Sequence, residues 1–179
     1  MKITKAVVRR MSLDFKVGFR TSFGLSTTKD FSIVELHDDD GKVGYGACSA
    51  FMRPWYNEET TMGALFVIKE YLIPSLFEAG DFKDPEWFFD HTSWIRRNRM
   101  ARASVDCALW ELYSKELGIP EYKALGGVRN EIEAGVSLGI EDTPDKLLHT
   151  IEKYMAQGYR RVKCKIKPGY DINYLRAVR

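Results

Sequence analysis

Apolar and polar residues alternate loosely over residues 2–15, where Ile3, Ala6, Val8 and Met11 sit among polar neighbours, and this predicts a strand. Residues 17–30, VGFRTSFGLSTTKD, are rich in glycine, serine and threonine and read as a loop holding Phe19 and Phe23. Alternation resumes over residues 31–37, DDDG at 38–41 has the composition of a hairpin turn, and residues 42–48 return as a third strand. A three-stranded antiparallel meander is therefore expected. Residues 49–59, SAFMRPWYNEE, crowd Phe51, Met52, Trp55 and Tyr56 around Pro54 with no period that would bury them on one face. Loop aromatics of this kind are either lids over a core or walls of a pocket.

The period then changes. Met62, Leu65, Phe66, Lys69, Leu72, Ile73 and Leu76 follow the three-and-four spacing of an amphipathic helix that Gly80 ends. A short aromatic helix is expected over residues 85–94. A longer one over 99–117 has Ala101, Val105, Ala108, Leu109 and Leu112 on one face, with Gly118 and Pro120 as stop signals. The LGG at 125–127 marks a domain boundary, giving residues 1–125 and 126–179 as the two domains. Beyond it, GVSLGI at 135–140 reads as a strand interrupted by Ser137. Thr143 and Pro144 open a helix that Gly158 closes, a second strand follows, and another helix begins near Asp171. Strand, helix, strand, helix at this pitch is the start of a (β/α) barrel, whose chemistry sits at the C-terminal ends of its strands. The expected fold is thus an α+β domain, meander plus helices, followed by the first two βα units of an incomplete barrel. A closed barrel needs about eight strands, so the chain is read as a fragment or as completed by another chain.

The second of these strands lies within RRVKCKIKPGYD, residues 160–171. With a rise of roughly 3.3 Å per residue, Lys163 and Lys165 point the same way about 6.5 Å apart. Arg161 and Lys167 extend the row, and Val162, Cys164 and Ile166 form the opposite face. One reading is a half-exposed strand whose lysines guard an edge. The other is a catalytic lysine, because a neighbouring ammonium and desolvation both favour the neutral amine. The helices bracketing the strand favour the second.

Composition narrows the field. The 179 residues are 45% hydrophobic and 29% charged with a formal net charge of +2, which describes a globular chain and gives no electrostatic case for nucleic acid. Cys48, Cys107 and Cys164 are widely spaced and read as reduced structural thiols, and the isolated His37, His91 and His149 do not form a metal-ligand set. The basic run at 96–99 reads as a solvated helix entry, Asp106 as a buried hydrogen-bonded side chain and Glu111 as solvent-exposed. No signal-peptide core or membrane span is present in the sequence, so a cytoplasmic protein is expected.

FRTSFG at 19–24, RMA at 99–101, GVSLGI at 135–140 and KCKIKPGYD at 163–171 together resemble the enolase superfamily, muconate lactonizing branch. Within it they look most like the N-terminal half of the o-succinylbenzoate synthases and N-succinylamino acid racemases. The resemblance implies that Lys165 removes a proton α to a carboxylate, that Lys163 is its companion, and that Phe19, Phe23, Phe51, Tyr56 and Ser137 line the substrate. It also implies Mg²⁺ in the complete enzyme, held by acids on later barrel strands outside these residues, so no metal ligand is assigned here and the chain alone is expected to be inactive. Ala47 departs from the pattern, since relatives commonly carry glutamate there. Rival readings are a dipeptide epimerase or muconate cycloisomerase of the same superfamily and, in another class, a non-catalytic binding or assembly module. The expected partners are a small carboxylate substrate and either a second copy of the chain or the remainder of the barrel.

Overall fold

The computed structural model describes residues 1–179. They form two compact units, one of residues 1–13 with 29–128 and the other of residues 14–28 with 129–179. Strands β1 (Ile3–Thr21), β2 (Gly24–Asp38) and β3 (Val43–Cys48) make the expected three-stranded antiparallel meander in the order β1-β2-β3. Residues 17–30 are not a loop, however. They are the outer arms of the β1–β2 hairpin, closed by Ser22 and Phe23. Threonine is a good strand former, and pairing the arms satisfies backbone groups that an open loop would leave to water, so β propensity overrides the loop-like composition.

The inner face of the β2–β3 pair is built from unequal partners. Val34 is opposite Gly46 and Leu36 opposite Gly44, and all are buried. The long helix α4 (Arg99–Leu117), with both ends where its periodicity puts them, fits over the glycines and buries Ala101, Ser104, Val105, Ala108, Leu109 and Leu112. Its C-terminus is closed by Gly118 in the left-handed conformation (φ 66°). Glu111 is not free in solvent. Its carboxylate accepts the Tyr45 N–H on the outer edge of β3 and pairs with Lys115 at 2.8 Å, while Lys115 donates to the Val43 carbonyl at 2.6 Å. The open edge of the sheet is thereby covered by side chains of its own helix.

The helix predicted around residues 62–76 runs in three parts: α1 (Thr61–Val67), a π-helical turn (Ile68–Leu72) and α2 (Ile73–Ala79). Pro74 lies in the first turn of α2. Lacking an N–H and crowding the preceding turn, a proline cannot continue a regular ladder, and the widened turn accommodates it. The short helix α3 (Glu86–His91) buries Phe88, and α5 (Glu121–Ala124) follows α4.

The start of α4 is capped from a distance. Asn98 is left-handed (φ 45°) and supplies no side-chain cap. Instead the buried Glu59 carboxylate accepts the N–H of Met100 at 2.9 and 3.0 Å and that of Ala101 at 3.1 Å. Charged hydrogen bonds at a helix N-terminus contribute more than neutral ones. Glu59→Ala should therefore destabilise the chain by about 2–3 kcal/mol in a urea titration; a loss below about 0.5 kcal/mol would show that the cap is dispensable.

The second unit contains β4 (Gly135–Leu138), α6 (Pro144–Met155), β5 (Arg161–Cys164) and α7 (Asp171–Val178). The strands are parallel, as a βαβ crossover requires. Leu138, Leu147 and Ile151 form its core, with Val136, Val162, Cys164 and Tyr174 packed against them. Thr143 caps α6 through Lys146 N–H at 3.3 Å, with Pro144 in the first turn. The predicted row on β5 is shorter than expected. The strand ends at Cys164 because Pro168 and Gly169 (φ 78°) turn the chain toward α7, leaving Ile166 exposed rather than packed and Lys167 outside the strand, over the Tyr170 ring at 5.6 Å. Among the thiols, Cys48 is buried and Cys164 partly so, whereas Cys107 is exposed on α4 and so is not a buried structural thiol. No helix is long and apolar enough to cross a membrane.

Candidate active site

In the β4–β5 pair Ser137 is the register partner of Lys163, so their side chains sit side by side on one face. Val136 and Val162, also partners, turn to the other face and pack on the unit's core. Lys165 comes two residues after Lys163, just beyond the strand, where its N–H still reaches the Leu138 carbonyl at 3.3 Å. Lys163 is exposed and Lys165 half-buried. The difference has a visible cause: the Phe19 ring lies over Lys165, 5.7 Å from its Nζ to the ring centre. Ser137, Lys163, Lys165 and Phe19 thus form one constellation of a hydroxyl, two amines and an aromatic wall.

Phe23 is in the hairpin turn, 73% exposed, with its N–H donated to Thr21 Oγ1 at 3.2 Å. Phe51 and Tyr56 belong to the first compact unit and meet each other there. Their rings lie 5.7 Å apart, and Trp55 stands 4.6 Å from Phe51 and 5.8 Å from Tyr56. Lys29 Nζ covers Phe51 at 4.5 Å and donates to the Ser49 carbonyl at 3.3 Å. Trp55 and Lys29 are therefore part of this aromatic cluster, although no periodicity in the sequence connects them. Ala47 pairs with Ile33 and faces outward on β3. Asp106, expected to be hydrogen-bonded in the interior, instead lines a cleft of about 400 Å³ with Phe88, Phe89, Arg99, Arg102 and Ala103. Burial pushes its carboxyl above the usual range, with Arg102 opposing.

Two further residues build the Lys165 constellation, and sequence reasoning missed both. Arg20, next to Phe19, reaches Asp142 after β4 at 2.7 Å, and Asp142 also holds Lys146 at 3.0 Å. The hydrogen bond from Lys146, then its charge and that of Arg20, hold the Asp142 carboxyl below the ordinary aspartate range. A carboxyl with a lowered folded value contributes stability that is fully present above its unfolded value, near ~3.9, and is lost as pH falls through the lowered folded value. The carboxyl carbon of Asp142 should accordingly titrate with a midpoint below that of an ordinary aspartate in an NMR pH series; an unshifted midpoint would mean the contacts do not persist in solution.

The residues present do not make a cation site: no group of three or more His, Cys, Asp or Glu side chains is disposed to hold a metal ion.

Residues 3–126 match the mandelate racemase / muconate lactonizing enzyme, N-terminal domain. The chain belongs to that family. Among its members, an o-succinylbenzoate synthase of Geobacillus kaustophilus is 45% identical over 179 residues, all of this chain and 48% of the relative. An N-succinylamino acid racemase of Thermus thermophilus is 38% identical over the same span and the same 48% share. The crystal structure of an enolase superfamily member from Listeria innocua superposes with a TM-score of 0.93 at 38% identity, over 100% of this chain and 48% of that one. The fold is that of the N-terminal capping domain of the superfamily with the start of the βα region. The chain spans about half the length of the curated relatives it matches.

Proposed function

We propose that this chain supplies the capping domain and the proton-abstracting lysine of an enzyme acting on carbon acids α to a carboxylate, forming o-succinylbenzoate by dehydration or racemising N-acylamino acids. The observation that carries the reading is the constellation of Lys165, Lys163, Ser137 and Phe19 at the end of β5. Similarity along the whole chain to a synthase and a racemase supports the choice of reaction.

Lys165 Nζ takes the α-proton, and the C–H electron pair passes to the carboxylate as an enediolate. Lys163 stands two residues away on the same side and sets a positive charge toward the charge that develops. Ser137, beside Lys163, offers a hydroxyl to a substrate oxygen. Phe19 keeps water from Lys165. Phe23, in the hairpin turn, and Phe51 and Tyr56, in the first compact unit, are the positions that the resemblance assigns to substrate selection. In dehydration the electron pair expels the β-hydroxyl, which leaves as water with the proton taken by Lys165. In racemisation a second base on the opposite side of the substrate returns a proton, and that base lies outside these residues. The Mg²⁺ that the resemblance implies is likewise assigned to residues outside this chain. The reading includes a cytoplasmic location and assembly with a second copy or with the remaining barrel.

Alone, the chain should show no turnover and no stoichiometric Mg²⁺ site by calorimetry; a tight site on the isolated chain would contradict this division of labour. Supplied with the C-terminal half of the Geobacillus kaustophilus synthase, it should act on o-succinylbenzoate precursors or N-succinylamino acids. Turnover of dipeptides or muconates alone would move it to another activity of the family.

A further inference from the structure

We propose that the cleft between α3 and α4 binds a free α-amino acid with an apolar side chain: Asp106 takes its ammonium, Arg99 its carboxylate, and the Phe89 ring its side chain. The cleft lies wholly in the first compact unit and shares no residue with the Lys165 constellation, so the proposal stands apart from the reaction assigned to that lysine.

The starting point is a carboxylate without a partner. An arginine and an aspartate one turn apart on a helix, as Arg102 and Asp106 are, ordinarily meet. Here Arg102 is turned to α3 instead. Its Nη2 donates to the Phe89 carbonyl at 2.8 Å, its Nε donates to the Thr92 hydroxyl at 3.2 Å, and its guanidinium lies over the Phe89 ring, 5.0 Å from the centre. Asp106 is left half-buried with no hydrogen bond or ion pair. Burial pushes its carboxyl up, and the Arg102 charge opposes this without cancelling it. A carboxylate drawn partly out of water and left unpaired is stabilised by any cation that reaches it. A metal ion needs several such ligands, and no group of acids is disposed to hold one, whereas an ammonium is satisfied by one carboxylate.

The second charge of the ligand follows from Arg99, which lines the same cleft, exposed and without an ion pair. Two turns separate it from Asp106, so the two share a face of α4 about 10.5 Å apart along the axis. An arginine and an aspartate reaching toward each other over that span leave room for an ammonium and a carboxylate held on one carbon. A simple anion would be repelled by Asp106, and a simple cation by the two arginines. A zwitterion meets both. The rest of the wall is apolar: Phe89 is 64% exposed and Ala103 brings only a methyl group, so the cleft of about 400 Å³ accepts a side chain of the size of leucine or phenylalanine.

The test is calorimetric titration of L-phenylalanine into the 179-residue chain, beside N-acetyl-L-phenylalanine, which lacks the ammonium, and phenethylamine, which lacks the carboxylate. L-Phenylalanine should bind at one site per chain, and each of the other probes roughly tenfold more weakly or worse. Asp106→Asn should weaken L-phenylalanine roughly tenfold, and Arg99→Gln, at an exposed position, about threefold. Neither substitution should lower the melting temperature of the unliganded chain, because neither side chain has a partner in the fold. The comparison of the three probes needs no variant at all. No saturable heat with L-phenylalanine up to its solubility limit would overturn the site. So would equal binding of N-acetyl-L-phenylalanine, which would take Asp106 out of it, or equal binding of phenethylamine, which would take Arg99 out of it. Undiminished affinity in Asp106→Asn would overturn it as well.

Discussion

Replacing Lys165 with methionine should lower kcat/KM of the assembled enzyme by roughly 10²–10⁴-fold, the usual contribution of a positioned general base. Methionine keeps an unbranched apolar stem beneath the Phe19 ring but removes the only atom that can carry the proton. Because Lys165 is half-buried and its Nζ makes a ring contact rather than an ion pair, the thermal midpoint should hardly move, within about 0.5 kcal/mol. Lys163→Met should also impair turnover, through the field at the substrate, and Ser137→Ala should act on binding more than on rate. The pattern to look for is a large kinetic loss at Lys165 without a stability loss. Undiminished turnover would return the constellation to its plainer reading, a solvated pair of lysines on an edge strand, and would favour a binding or assembly module.

What the sequence made legible was local. The α4 helix emerges with its ends in place because a strict apolar period, Gly118 and Pro120 all act over neighbouring turns. Lys163 falls on a strand as its alternating neighbours predict, whereas Lys165 lies just past the strand's end at Cys164. The hairpin arms were hidden because serine, threonine and glycine are as common in loops as in two-stranded ribbons, and only pairing with a partner strand decides between them. The π-helical turn left one trace, Pro74, which signals a broken ladder without saying how it is repaired. Long-range polar partnerships left none. Glu59 caps a helix that begins forty residues later, and Arg20 finds Asp142 across a separation of 122 residues. Such pairs are chosen by the fold, after β4 and the hairpin are both in place.

The candidate site shows the same division. Lys163 and Ser137 could be read as strand residues, and parallel pairing makes them register partners. That Phe19 covers Lys165 could not, because it depends on where a hairpin tip docks. Phe51 and Tyr56 owe their assignment to the resemblance, not to any period; that their rings meet, with Trp55 and Lys29 in one aromatic cluster, is decided by the fold.

The largest loss of stability is expected at a residue with no side chain. Gly46→Ala should destabilise the chain by about 3 kcal/mol or more, lowering the melting temperature by roughly 10 °C. A Cβ built at Gly46 falls 1.8 Å from the Ser104 carbonyl oxygen and 2.9 Å from the Ala108 nitrogen. Those are backbone atoms of α4, so no rotamer change can relieve the clash; the helix must lift from the sheet. Lifting it would loosen Val34 and Leu36 on β2, Val105, Leu109 and Leu112 on α4, and the whole buried cluster they share. Gly44 is constrained in the same way, its Cβ falling 2.1 Å from the Ala108 carbonyl oxygen. Tyr45 and Ala47, between and beyond the glycines, point outward, and Ala47→Val should change stability by no more than about 0.5 kcal/mol. Calorimetric melts of the two variants side by side decide the matter. A Gly46→Ala chain as stable as Ala47→Val would mean that α4 does not rest on these glycines.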